Sequence, residues 1–276
     1  MLLPRIITAI IGIPIIIISI YYGKLVFFLL LLTILFYMTR EFVYMTRKVG
    51  YETSWFISYL SSILVFISII LEQLKFSEYS LYLTSVILTF IFFILFFVEI
   101  IKQKPLGAVG RISVNFTIPV LFGWSLAHLY LLRDIKIYGM KLVFILVFTI
   151  WTVDNSAYIF GTLFGRKKLA SVISPKKTIV GFITGWAFGF LGFLFFSRIF
   201  LIDKVISYNY IIPIGVVLPV ISMLSDLAES LIKRDCGFKD SDNLLFGHGG
   251  MMDRFDSFIF TSPFLYYIII FILINR

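Results

Sequence analysis

Cysteine is almost missing from this chain: Cys236 stands alone. A single thiol excludes an internal disulfide and any metal site built on cysteines. Charge is scarce as well. Only 14% of the 276 residues are Asp, Glu, Lys or Arg, too few to cover a water-soluble surface. Neither a P-loop nor a dinucleotide fingerprint occurs anywhere, which removes the commonest soluble nucleotide-binding motifs. The first apolar run, preceded by Arg5, resembles a signal peptide, but no small-residue cleavage site follows and a second apolar run begins at once. A retained first span is expected.

What remains is apolar: 60% of residues are hydrophobic and the mean hydropathy is +1.03. The expectation is an all-α polytopic membrane protein. Nine runs are long enough to cross a bilayer: 6–22, 25–39, 54–71, 79–101, 113–132, 141–161, 179–200, 209–232 and 257–274. Tyr22-Gly23-Lys24 joins the first two into a tight hairpin. Alternating the loops between two sides puts sixteen of the 24 Lys and Arg on one side, which becomes the cytoplasmic one, with the N-terminus inside and the C-terminus outside. The net charge of +9 then reflects this bias together with anionic lipid or phosphate substrates, and nucleic acid is not an expected partner. The expected division is a transmembrane scaffold of about five helices over 1–140 and a catalytic domain of about four over 141–276, with cytoplasmic loops at 162–178 and 233–256.

In the scaffold, Arg40-Glu41 reads as an interface pair at a helix end, and Glu99 as an acid paired with Lys102 three residues on. His128, alone on an apolar face, reads as a hydrogen-bonded core residue. The basic loop 102–111 reads as solvated and able to touch anionic lipid. Character changes at Trp151-Thr-Val-Asp154-Asn155-Ser156, where an acid lies roughly 10 Å inside the span. Such an acid faces a wet cavity or the bundle interior. Arg166 to Lys168 read as ordinary positive-inside charge. Ser174-Pro175-Lys176-Lys177-Thr178 differs because it abuts a span: Thr178 can cap the helix, and two lysines at a helix N-terminus suit phosphate. Gly181, Gly185 and Gly189 follow at four-residue intervals as a packing stripe.

Seven of the fifteen carboxylates fall within 222–256: Asp226, Glu229, Asp235, Asp240, Asp242, Asp253 and Asp256. On a helix Asp226, Glu229 and Lys233 share one face, as do Asp253 and Asp256. Carboxylates gathered at a membrane boundary repel unless a cation joins them, and Mg²⁺ takes oxygen ligands while bridging to phosphate. Between the two pairs, Gly247-His248-Gly249-Gly250 allows close backbone approach and a nest for an anion. A cation transporter using the same acids is the alternative from another class. It requires acids near the midplane, whereas these cluster toward one side.

The pattern Ser230-x2-Lys233-Arg234-x4-Lys239-Asp240-x7-His248-Gly249-Gly250-x2-Asp253-Arg254-x-Asp256 resembles the signature of the phosphatidate cytidylyltransferase (CDP-diacylglycerol synthase) family. Asp154-x2-Ala157-Tyr158 and the Ser-Pro-Lys-Lys-Thr block are similar to further blocks of that family, in the same order. The resemblance covers 151–256. The chain departs from the pattern at Val180, where the family usually has Glu, and at Asp242 and Phe246, where it usually has a small residue and Pro. The resemblance implies transfer of a cytidylyl group from CTP to phosphatidic acid, with Asp226, Asp253, Asp256 and Glu229 holding Mg²⁺, a second cation such as K⁺ beside it, and membrane lipid as surroundings. It assigns catalysis to Asp226, Asp253, Asp256, Lys233 and Arg254. It assigns substrate contacts to Asp154, Ser174, Lys176, Lys177, Thr178, Ser230, Arg234, Lys239, Asp240, His248, Gly249 and Gly250. It also admits a homodimer. A CTP-dependent enzyme for another lipid phosphate and a weakly active or inactive homologue fit the same residues.

Overall fold

Helices make up nearly all of the computed structural model, which describes residues 3–73, 82–242 and 249–275. They are α1 (Leu3–Tyr22), α2 (Lys24–Lys48), α3 (Trp55–Gln73), α4 (Leu83–Lys102), α5 (Ala108–Ile118), α6 (Ser125–Asp134), α7 (Gly139–Phe164), α8 (Ile179–Ile199), α9 (Tyr208–Asp235) and α10 (Met252–Ile274). A π-helical turn, Pro119–Trp124, joins α5 to α6. Strands β1 (Lys168–Ala170) and β2 (Ser174–Thr178) form an antiparallel hairpin between α7 and α8. Among the described residues eight segments are long and apolar enough to cross a bilayer, and α1 adds the shorter apolar stretch Ile10–Tyr22. Each expected span falls on one of these segments, so the protein is a polytopic all-α membrane protein.

The chain divides into two compact units, Met1–Leu131 with Asp235–Phe255, and Leu132–Arg234 with Asp256–Arg276. In the first, α2 runs on to Lys48 rather than ending near residue 39. Its apolar period persists through Phe42, Val43 and Met45, all buried. Arg40 stays exposed while Glu41 is only 1% exposed, so the two are not an interface pair. Helix α3 turns Ser58, Ser61, Ser62 and Ser68 inward. A Cβ at Gly123 would lie 2.6 Å from the Ser62 carbonyl oxygen, so α3 and the π-helical turn meet backbone to backbone.

Glu99 pairs with Lys102 at 2.9 Å, as its spacing predicts, and also with Arg111 at 2.6 Å. Arg111 is buried and its guanidinium donates to the carbonyls of Lys104 and Leu106, so it anchors the 102–111 loop from beneath, while residues 103–107 stay exposed, as a solvated loop requires. His128 is a core residue with Nδ1 2.7 Å from the Trp124 carbonyl oxygen.

In the second unit, α7 and α8 pack along the glycine stripe. A Cβ at Gly181 would lie 2.7 Å from the Ala157 carbonyl oxygen, and one at Gly189 would lie 2.4 Å from Val153 Cγ2. Only glycine lets the two helices approach this closely. Trp186 Nε1 donates to the Val216 carbonyl at 3.0 Å, tying α8 to α9. An all-α expectation includes no strands, yet two are present. The hairpin pairs Lys168 with Thr178 and Ala170 with Ser174, and with two strands only, each has a free edge that accommodates Pro175.

Candidate active site

The second unit contains a cleft of about 600 Å³. Asp154, Tyr158, Gly161 and Thr162 from α7 form one wall. Lys168 and Leu169 of β1 and Lys176 to Thr178 of β2 form another. Gly181 and Phe182 of α8, with Met223, Asp226 and Leu227 of α9, complete it. The volume lies in the range of small-molecule sites. The lining mixes Asp154, Lys168, Lys176, Lys177 and Asp226 with apolar Leu169, Phe182, Met223 and Leu227.

The walls follow from local sequence. Thr178 adopts extended backbone and its Oγ1 accepts the Gly181 N–H at 3.1 Å, so it caps α8. The cap directs Lys176 and Lys177 to the positive end of the α8 dipole. Arg234 Nε donates to the Ile173 carbonyl at 3.1 Å and so fastens the hairpin turn to the end of α9. Ser225 is a further brace. Its hydroxyl donates to the Asp256 carbonyl oxygen and accepts the Phe260 N–H at 3.3 Å, which pins the start of α10 against α9.

That brace gathers the acids. Among the described residues, Asp226, Glu229 and Asp256 each offer a carboxylate oxygen, all within 4.8 Å of one another. Asp154 adds a fourth negative charge acting on Asp256. At this separation each pair of carboxylates repels by about 3 kcal/mol for an effective dielectric near 20. Two lysines offset part of it: Lys177 Nζ stands 2.6 Å from Asp226, and Lys233 Nζ stands 2.5 Å from Glu229. Glu229 and Lys233 are both buried, while Asp226 and Lys177 are each 28% exposed at the side chain. The donor set is all oxygen, and an octahedral hard cation with ligands near ~2.1 Å would hold such oxygens about 3–4 Å apart. The residues present therefore fit a divalent cation in the chemistry of their donors.

Not every residue singled out in the sequence joins this cleft. Ser230 is buried within α9, and Ser174 pairs in the hairpin. Lys239 and Asp240 are exposed in the first unit, and Arg254 is exposed on the first turn of α10. Asp253 also belongs to the first unit, where its Oδ2 accepts the Gly250 N–H at 2.8 Å and the Ser241 N–H at 3.0 Å. Gly249 has φ +77, and a Cβ there would press on that same carboxylate at 2.4 Å. His248 and Phe246 lie outside the described residues.

Conversely, the cleft includes Lys168, which reads in the sequence as plain positive-inside charge. Its clue is the distance to Lys177, short enough for a hairpin to bring the two together. Nothing in a line of residues marks Ser225, a small hydroxyl in a run of similar ones.

The model of the cytidylyltransferase family matches residues 3–272. Among curated proteins the chain is 37% identical over 150 residues to a phosphatidate cytidylyltransferase of Bacillus subtilis, covering 54% of this chain and 55% of that one. It is 40% identical over 127 residues to the protein of that name from Staphylococcus haemolyticus, and 41% identical over 127 residues to the one from Staphylococcus epidermidis; each match covers 46% of this chain and 48% of the relative. The matched part spans about half the length of these relatives. With a family match running almost from end to end, this chain belongs to the cytidylyltransferase family.

Proposed function

We propose that the protein transfers a cytidylyl group from CTP to phosphatidic acid, releasing pyrophosphate and leaving CDP-diacylglycerol in the membrane. The observation that carries this reading is the cleft in which Asp226, one of three clustered acids, stands beside paired lysines at a capped helix N-terminus. An oxygen of the lipid phosphate attacks the α-phosphorus of CTP, and the bond from that phosphorus to the β-phosphate bridging oxygen breaks. The nucleophile is already an anion, so no strong base is required. The protein's task is alignment and charge.

In this mechanism Lys176 and Lys177, with the α8 N-terminus, take the triphosphate, and Lys168 extends the same positive wall. Lys233 holds Glu229 in place. Asp226, Glu229 and Asp256 would hold Mg²⁺, which when bound offsets the charge of the α-phosphate and the leaving pyrophosphate. The family resemblance alone adds Asp253, Arg254, Ser230, Arg234, Lys239, Asp240, Gly249 and Gly250, as it does a second cation and a homodimer.

The test follows labelled CTP into phosphatidic acid in detergent, with and without Mg²⁺. A metal-dependent CDP-lipid is expected. Product from another lipid phosphate but not from phosphatidic acid would replace the substrate, and no CDP-lipid from folded protein would overturn the reading.

We also propose that this machinery faces the cytoplasm from the cell membrane, on the Lys and Arg bias of the loops. Asp240 is exposed and suits a probe, whereas the native Cys236 is buried and its thiol is pushed up by burial and by the charge of Asp235. An Asp240→Cys protein is expected to react with a membrane-impermeant maleimide in inside-out vesicles only. Labelling of intact cells would reverse the orientation.

A further inference from the structure

Glu41 is an acid on an apolar helix, 1% exposed, and the mechanism above does not use it. Its Oε1 accepts the Met251 N–H at 2.7 Å, and its Oε2 accepts the Met252 N–H at 2.9 Å and the Ser241 hydroxyl at 2.7 Å. The first amides of a helix have no partner within it. For α10 a carboxylate some 210 positions earlier in the chain supplies one.

The same carboxylate thus grips both Ser241 and Met251–Met252. Ser241 in turn donates its N–H to Asp253 Oδ2 at 3.0 Å, and its one hydroxyl hydrogen is shared between Glu41 Oε2 at 2.7 Å and Asp253 Oδ2 at 3.1 Å. Gly250 lies in the middle of this knot. A Cβ there would come within 2.1 Å of Ser241 Oγ and 2.3 Å of Glu41 Oε2, so a side chain and the carboxylate exclude one another. One turn along α2, Tyr44 meets the Phe238 ring edge-on at 5.7 Å, a second hold on the same stretch of chain.

We infer that Glu41 is a positioning residue for the cytidylyl transfer: it sets the place of Gly250 to Asp253 from outside the signature, through two backbone amides and the Ser241 hydroxyl. The inference rests on the proposed function, since it takes that signature stretch to serve the reaction. A displacement of about 1 Å in such a stretch costs roughly a hundredfold in rate even where the altered residue is remote from the chemistry. The effect belongs in kcat. The side chains proposed to take CTP sit on α7, α8 and the hairpin and keep their own supports.

The experiment compares wild type, Glu41→Gln and Glu41→Ala in detergent by hydrogen exchange of peptides covering 249–256 and by kcat and KM for CTP. Glu41→Ala is expected to speed exchange at Met251 and Met252 at least about tenfold, with α7 and α8 unchanged, because two amides lose their acceptor. Its kcat is expected to fall at least ~30-fold with KM for CTP within about threefold. Glu41→Gln keeps one oxygen acceptor and is expected to recover much of that loss.

Unchanged exchange at 249–256 overturns the inference, as does wild-type kcat in Glu41→Ala, or an exchange increase shared equally by α7 and α8. Should Glu41→Ala fail to fold, Gly250→Ala pushes against the same carboxylate and is expected to give the same pattern; wild-type exchange and kcat there overturn the inference. If the wild type forms no CDP-lipid, the functional reading fails, and the exchange result by itself then decides whether Glu41 holds the segment.

Discussion

Asp256→Asn is expected to lower CDP-lipid formation at least about a hundredfold while leaving the protein as stable as before, or more so. Two opposing effects meet at this position. The amide keeps the size of the side chain and an oxygen that can still accept the Ser257 N–H, and it does not touch the backbone carbonyl that receives the Ser225 hydroxyl. The brace between α9 and α10 therefore survives. What disappears is one negative charge from a group of three held within 4.8 Å. Its removal relieves repulsion in the folded protein, so the melting temperature holds or rises, the trade between stability and activity common at functional sites. Removal also deletes one of the oxygen donors proposed to hold the cation. A purely structural acid would behave in the opposite way, losing melting temperature and keeping turnover. The measurement is turnover with labelled CTP beside a thermal melt of the same preparation. Turnover within threefold of wild type would remove Asp256 from the proposed site.

The acids of α9 were legible because helical spacing alone puts Asp226 and Glu229 on one face. The Thr178 cap and the Gly181, Gly185 and Gly189 stripe were legible for the same reason: each is a local rule acting over three or four residues. Asp154 could be marked as an acid needing a polar outlet, though the outlet itself is formed by hairpin and helix residues far along the chain.

Glu41 was not legible. Its meaning depends on Ser241, Met251 and Met252, and no local rule links residues about 200 apart. Arg40 interrupts the apolar run, although the period continues through Phe42, Val43 and Met45. That continuation was the available signal that the helix runs on with Glu41 inside. The hairpin escaped because Lys-rich segments with a proline carry little strand propensity, and a three-residue strand has too few positions to show alternation. Without that hairpin Lys168 has the look of loop charge alone.

Lys177→Gln is expected to cut kcat/KM for CTP about a hundredfold, chiefly through KM, while shifting stability little. In the structure Lys177 is paired with Asp226 at 2.6 Å, so the bland account makes it a counter-ion and no more. Magnitudes separate the two accounts. A pair with both side chains 28% exposed contributes on the order of 1 kcal/mol or less to folding, so its loss leaves the melting temperature nearly where it was. A lysine that meets a triphosphate at a helix N-terminus makes charge-assisted hydrogen bonds that are stronger than neutral ones, and their loss appears in substrate affinity. Lys177→Arg keeps the charge but replaces a compact ammonium by a planar fork on a longer stem, so it is expected to recover only part of the loss. Lys176, more exposed on the same strand, is expected to show a smaller effect in the same direction. If Lys177→Gln melts several degrees lower yet binds CTP as well as wild type, the lysine is a counter-ion to Asp226 and the triphosphate must be sought elsewhere on the positive wall, beginning with Lys168. If affinity falls and the melt does not, the cleft between α7, the hairpin and α8 is where CTP lies.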